Sequence, residues 1–108
     1  MGKMSKDKGK VGEREVAEML RICGFAGARR GQQFAGGGDS PDVVGLPGFH
    51  IEVKRSETFS PYAALDQAIS DCQPGLTPVV FHRRNNKEWI AVIDAVEFLN
   101  FIRKNIND

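Results

Sequence analysis

Apolar and polar positions alternate along the chain with two different periods. In KVGEREVAEMLRICGF, Val16, Ala17, Leu20 and Cys23 recur at helical spacing, and Gly24 supplies a stop. Residues 1–8 are lysine-rich and aperiodic, and read as a flexible basic segment ahead of a single domain, 9–108. A short strand is predicted around Ala28 to Phe34. The glycines Gly36, Gly37 and Gly38 then suit neither strand nor helix. They make a loop that is mobile or lets backbone approach a ligand. PDVVGLPGFHIEVKR reads as a hairpin, with Asp42 to Leu46 as one arm, Pro47 and Gly48 as the turn, and Phe49 to Arg55 as the other arm.

Ser60 then caps a second helix with Pro61 at its first position. This helix is expected to bury Leu65, Ile69 and Cys72, and Pro74 with Gly75 ends it. TPVVFHRRNNKEWIAVID forms a second hairpin with Asn85 and Asn86 at its tip. Trp89 alternates there with Ala91 and Ile93, which assigns it to the core rather than to base stacking; Tyr62, in a first helical turn, stays open. Asp94 caps a last helix, Glu97 completes a capping box, and Val96, Leu99, Ile102 and Ile106 form its inward stripe. The order α-β-β-β-α-β-β-α describes an α/β domain, a central mixed β-sheet flanked by helices.

Composition narrows the class. The chain has 108 residues, enough for one modest core, and 41% hydrophobic with 27% charged residues is ordinary for a globular protein. No apolar run approaches a membrane span, and the lysine-rich start precedes no apolar segment, so neither anchor nor secretory signal is expected. Cys23 and Cys72 lack a C-x-x-C spacing and read as reduced thiols of a cytoplasmic protein; His50 and His82 are too isolated to suggest zinc. The formal net charge of +1 does not by itself mark a nucleic-acid binder. Lysines and arginines gather in the first third, however, against acids that a bound cation would neutralise.

Candidate chemistry lies on the first hairpin. On a strand, Glu52 and Lys54 point to one face, with Ile51 and Val53 on the other. The short turn makes the arms neighbours, so Asp42 can converge with Glu52 and Lys54. Glu13 lies three, four and seven residues before Val16, Ala17 and Leu20, on the inward stripe of the first helix. A carboxylate there is costly without a partner, although a first-turn position would also favour an acid. Hard carboxylate oxygens from Asp42, Glu52 and Glu13 suit Mg²⁺, with Mn²⁺ as a substitute, and the adjacent lysine can position water or stabilise charge on a phosphate. The bland alternative is a surface Glu–Lys pair beside an aspartate that only starts a turn.

The pair P41-D42 followed by E52-V53-K54 resembles the PD-(D/E)xK nuclease motif. Joined to KGKVGEREV on the preceding helix and the glycine-containing loop, it is similar to the Holliday junction resolvases of the archaeal type and their phage relatives. The likeness runs from Lys8 to about Arg55, roughly half the chain. It implies a restriction-endonuclease-like core, metal binding by Asp42, Glu52 and Glu13 with the backbone carbonyl of Val53, and a catalytic role for Lys54. It further implies DNA contacts from Arg14 and one of Arg29 or Arg30, and Lys8, Lys10 and Arg55 join these arginines as candidate DNA-binding residues. Ser40 and Gln67 are possible accessory residues, and Asp39 competes with Asp42 as the ligand.

The implied activity is Mg²⁺-dependent endonucleolytic cleavage of DNA, most simply of four-way junctions in recombination. Two symmetric cuts call for a C2 homodimer, for which the last helix, with Phe98, Phe101 and Ile102 beyond one stripe, offers a surface. Two alternatives stand beside it: a phage or restriction-like nuclease of the same chemistry acting on other DNA, and a non-catalytic DNA-binding module of the same fold. A domain with no DNA role would show no DNA affinity even at low salt.

Overall fold

The computed structural model describes residues 2–31 and 40–106, with side chains from Lys8 onward. The elements follow the order α1 (Gly2–Ile22), β1 (Arg29–Arg30), β2 (Val43–Val44), β3 (Phe49–Arg55), α2 (Pro61–Asp71), β4 (Thr77–Arg83), β5 (Ile90–Val92) and α3 (Ala95–Asn105). The strands form one sheet in the order β1-β2-β3-β4-β5. β3 and β4 run parallel, joined through α2, and the other neighbours are antiparallel. The α/β class and the element order expected from the pattern are present.

α1 begins earlier than its apolar periodicity implies. Residues 2–8 are part of the helix, since lysines are good helix formers and no proline intervenes. Lys8 reaches Glu57 at 3.8 Å. The C-terminal end is a Schellman motif: Gly24, at φ 107°, donates to the Arg21 carbonyl, and Phe25 donates to the Leu20 carbonyl. Gly12 sets how close α1 comes to the sheet. A Cβ there would stand 3.0 Å from the Arg55 Cβ and 3.4 Å from both Val53 and Trp89.

Val16, Ala17 and Leu20 of α1 pack on Val43, Ile51, Val53 and Val79, with Ala28 beside them. Burying Val16 and Ile51 completely contributes about 1.5–3 kcal/mol each. Strand alternation sends His50, Glu52 and Lys54 to the opposite face, the side of α2.

Three expectations about packing need correction. In α2 the buried residue is Ala68, while Ile69 is half exposed and Leu65 and Cys72 are only partly covered. The most buried position of the helix is thus a small alanine and not one of the larger apolar side chains. Ser60 occupies the N-cap position with Pro61 behind it, but its side chain makes no capping bond. In α3 the expected inward stripe is outward: Val96 and Leu99 are 64% and 61% exposed, and the helix has no buried residue. α3 meets the body through Phe101, whose ring lies edge-on to Phe49 at 4.9 Å. Its cap is as expected, with Asp94 accepting from the Glu97 N–H.

The first hairpin turn carries Pro47 and then Gly48 at φ 85°, with the Phe49 N–H bonded to the Leu46 carbonyl, a type II arrangement. β1 is shorter than the expected strand from Ala28 to Phe34. Ala28 and Gly31 flank it outside the strand, and residues 32–34, the three glycines and Asp39 lie outside the described residues. Among the described residues no helix is long and apolar enough to cross a membrane.

Candidate functional site

The site is built where β2 parts from β3. These strands pair at Val43 and Ile51, and the Asp42 N–H still bonds the Ile51 carbonyl. One step further, the Val53 N–H donates to Asp42 Oδ2 at 2.8 Å. A side-chain carboxylate has taken the place of a strand partner, which fixes Asp42 beside the middle of β3. Gly31 extends β1 alongside, donating to the Asp42 carbonyl. A Cβ on Gly31 would collide with the Pro41 carbonyl oxygen, so glycine is required for this approach.

Glu52 sits on β3 with only 13% of its side chain exposed, and Lys54 lies exposed on the same face. Burial, followed by the charges of Asp42 and Asp71, pushes the Glu52 carboxyl up to about 8, with Lys54 opposing and Glu13 adding to the rise. Glu13, from α1, is raised chiefly by burial and also by Asp42, while Arg30 and Lys10 act the other way. The three expected acids therefore act electrostatically on one another across α1, β2 and β3. Each also has a protein partner. Glu13 accepts from Arg30 Nε at 3.0 Å, Asp42 from Val53, and Glu52 lies 3.2 Å from His50 Nε2.

Among the described residues no group of three or more histidine, cysteine, aspartate or glutamate side chains stands in an arrangement able to hold a metal ion. The donor chemistry nonetheless fits a hard cation. Mg²⁺ is commonly held by one or two carboxylates and keeps several waters, and half-buried acids that repel one another gain from a divalent charge among them. Asp42 and Glu52 answer that description. Glu13, bonded to Arg30, does so only if that ion pair opens.

The remaining candidates divide. Arg29 is exposed on β1, and Lys10 is exposed and close enough to act on Glu13. Arg14 is exposed about 100° around α1 from Glu13, on a groove with Val11, Glu18 and Ile22. Arg55 is engaged elsewhere: its guanidinium bonds Asn85 Oδ1 at 2.7 Å and the Arg83 carbonyl at 3.3 Å, tying β3 to the tip of the β4–β5 hairpin. Lys8 pairs with Glu57 in the same region. Gln67 donates to Asp71 one turn along α2 at 3.1 Å, and Ser40 is half-buried just ahead of Pro41.

Three features escape the motif. His50 is fully buried two residues before Glu52, and the alternation of HIEVK already places both on one face. Asp71 reaches the site by charge from the end of α2, for which the sequence carries no signal. Glu15 binds Arg83 Nη1 at 2.7 Å and the Trp89 indole N–H at 3.1 Å, a structural link from α1 to the second hairpin.

Compared with family models, curated proteins and solved structures, the chain matches none.

Proposed function

We propose that the chain is a Mg²⁺-dependent endodeoxyribonuclease of the PD-(D/E)xK type that acts on branched DNA, most simply a four-way junction, as a homodimer. One observation carries the reading: Asp42 is pinned to the Val53 N–H where β2 leaves β3, while Glu52 and Lys54 share a face of that same strand and Glu52 feels the charges of Asp42 and Glu13.

Asp42 and Glu52 supply the carboxylate oxygens for the cation, joined by the Val53 carbonyl that the resemblance implies. When bound, Mg²⁺ supplies Lewis-acid polarisation of the scissile phosphate and a more acidic water. Lys54 holds the attacking water and offsets negative charge building on phosphorus oxygens. Arg29, exposed on β1, and Lys10, exposed and acting on Glu13, attract the phosphate backbone and screen its repulsion from Asp42. Arg30 holds Glu13 in place and exchanges it for phosphate on binding.

A second reading, a DNA-binding module of this fold without catalysis, is favoured by the Arg30–Glu13 ion pair, which occupies one of the expected ligands. Incubation of a labelled four-way junction with Mg²⁺ separates the two. The nuclease cuts it, and Lys54→Ala abolishes cutting while junction binding persists. Binding without any cutting by the wild type establishes the module instead, and cleavage confined to linear duplex or flaps points to a nuclease for other DNA.

A further inference from the structure

His50 is completely buried, and both of its ring nitrogens are matched. The Gln73 backbone N–H, just past the end of α2, donates to Nδ1 at 3.3 Å. A nitrogen that accepts cannot carry the ring proton, so a neutral His50 holds its proton on Nε2. That nitrogen faces Glu52 Oε2 at 3.2 Å and donates to it.

Burying an imidazole inside a sheet is unfavourable unless its polar atoms are satisfied, and a valine at this position would need no partners. The partner here is the glutamate of the E-x-K strand. Its carboxylate is thereby held on one side by a ring that cannot rotate, because Gln73 fixes the ring in turn. The Cys72 N–H, bonded to the Ile69 carbonyl, anchors the start of that connection to the last turn of α2. The Glu52 carboxyl also feels the charges of Asp42 and Lys54.

Resting on the metal-nuclease reading, we infer that His50 is a positioning residue for the cation site: its Nε2–H orients the Glu52 carboxylate, and the backbone of Gln73 orients His50. Partners of this kind outside the ligands characteristically account for about 10–100-fold in metal affinity.

The test is Mn²⁺ binding by calorimetry on the intact chain, with folding followed by circular dichroism. His50→Leu is expected to weaken binding about 10–100-fold. His50→Gln, whose amide can both accept from Gln73 and donate to Glu52, restores most of it. A folded Leu variant that binds Mn²⁺ as tightly as wild type overturns the inference alone. A wild-type chain that binds no Mn²⁺ overturns the metal reading beneath it. Should the Leu variant fail to fold, ¹⁵N spectra of the wild-type imidazoles decide. The inference requires His50 to carry its proton on Nε2 and that N–H resonance to move when Mg²⁺ is added. A proton on Nδ1, or an Nε2–H indifferent to Mg²⁺, refutes it.

Discussion

Asp42 is bonded through its carboxylate to the backbone N–H of Val53 at 2.8 Å, eleven residues away on the neighbouring strand. The contact serves the fold and the site together: it closes a gap in the sheet and aims a charged group at the centre of β3. Its two roles separate by substitution. Asp42→Ala leaves the Val53 N–H without its acceptor and is expected to cost about 1–3 kcal/mol in urea denaturation. Asp42→Asn keeps an acceptor, so stability should change little, yet cleavage should fall to background because the anionic ligand is gone. Equal activity in Asp42→Asn and wild type would remove Asp42 from the metal site.

Glu52 makes stability depend on pH in a definite direction. Its carboxyl stands at about 8 in the folded chain against an ordinary 4.5, chiefly through burial. Between those values the folded chain keeps a proton that the unfolded chain releases, so stability falls as pH rises through the window and levels off above it. Glu13, also raised, adds to the same slope. Melting temperatures measured without divalent ions should decline from about pH 5 to pH 8, and Glu52→Gln should flatten much of the decline. Mg²⁺ added at pH 8 should raise the wild-type melting temperature and leave Glu52→Gln nearly unmoved.

These two expectations show where sequence reading succeeded and stopped. The placement of Asp42, Glu52 and Lys54 followed from strand alternation and a Pro-Gly turn, both local properties. Glu13 was legible from its place on the apolar stripe. Its bond to Arg30 was not, because it joins residues 17 apart through the packing of α1 on β1. Arg55 looked like a free cation beside the motif, yet Asn85, 30 residues on, engages it. Asp71 had no signature at all: only the parallel β3-α2-β4 crossover returns the end of α2 to Glu52. The outward face of α3 defeated the pattern for another reason. Periodicity identifies an apolar face and is silent about what covers it.

Glu15 offers a control outside the chemistry. It bridges Arg83 and the Trp89 indole, joining α1 to the second hairpin. Glu15→Ala should destabilise the chain by about 1–3 kcal/mol, since Arg83 and the indole N–H lose their acceptor. The emission of Trp89, the chain's single tryptophan, should shift with the loss. Cleavage per folded molecule should stay at the wild-type level. A loss of activity in the folded variant would show that the α1–hairpin link belongs to the working site.

DNA affinity should report the exposed cations and not the engaged ones. Arg29 and Lys10 have exposed side chains, and Lys10 acts on Glu13, whereas Arg55 is held by Asn85 and the Arg83 carbonyl. Binding should weaken steeply with salt, and Arg29→Ala with Lys10→Ala should make the dependence on log salt shallower by about one to two phosphate contacts. Arg55→Ala should lower stability and leave that slope unchanged. The opposite ranking would place the DNA on the hairpin-tip side of the sheet.

α3 carries the prediction about assembly. Val96, Phe98, Leu99 and Ile102 are exposed to between 38% and 64% on a helix of 11 residues that meets the body through Phe101 and Phe49, and its C-cap Ile106 is 54% exposed. An exposed apolar helix face is favourable only when covered, and the proposed symmetric cutting of a junction requires two copies of the site. A C2 contact between α3 helices meets both requirements, since each copy presents the same apolar patch to the other. Light scattering after size exclusion should give twice the 11.9 kDa chain mass. Leu99→Glu combined with Val96→Glu should give monomers, because the new carboxylates would face each other where water is excluded. Those monomers should nick a junction once and no longer cut both strands in step. Wild type that elutes as a monomer at high concentration would rule out this contact and, with it, the proposed paired cleavage by two joined copies.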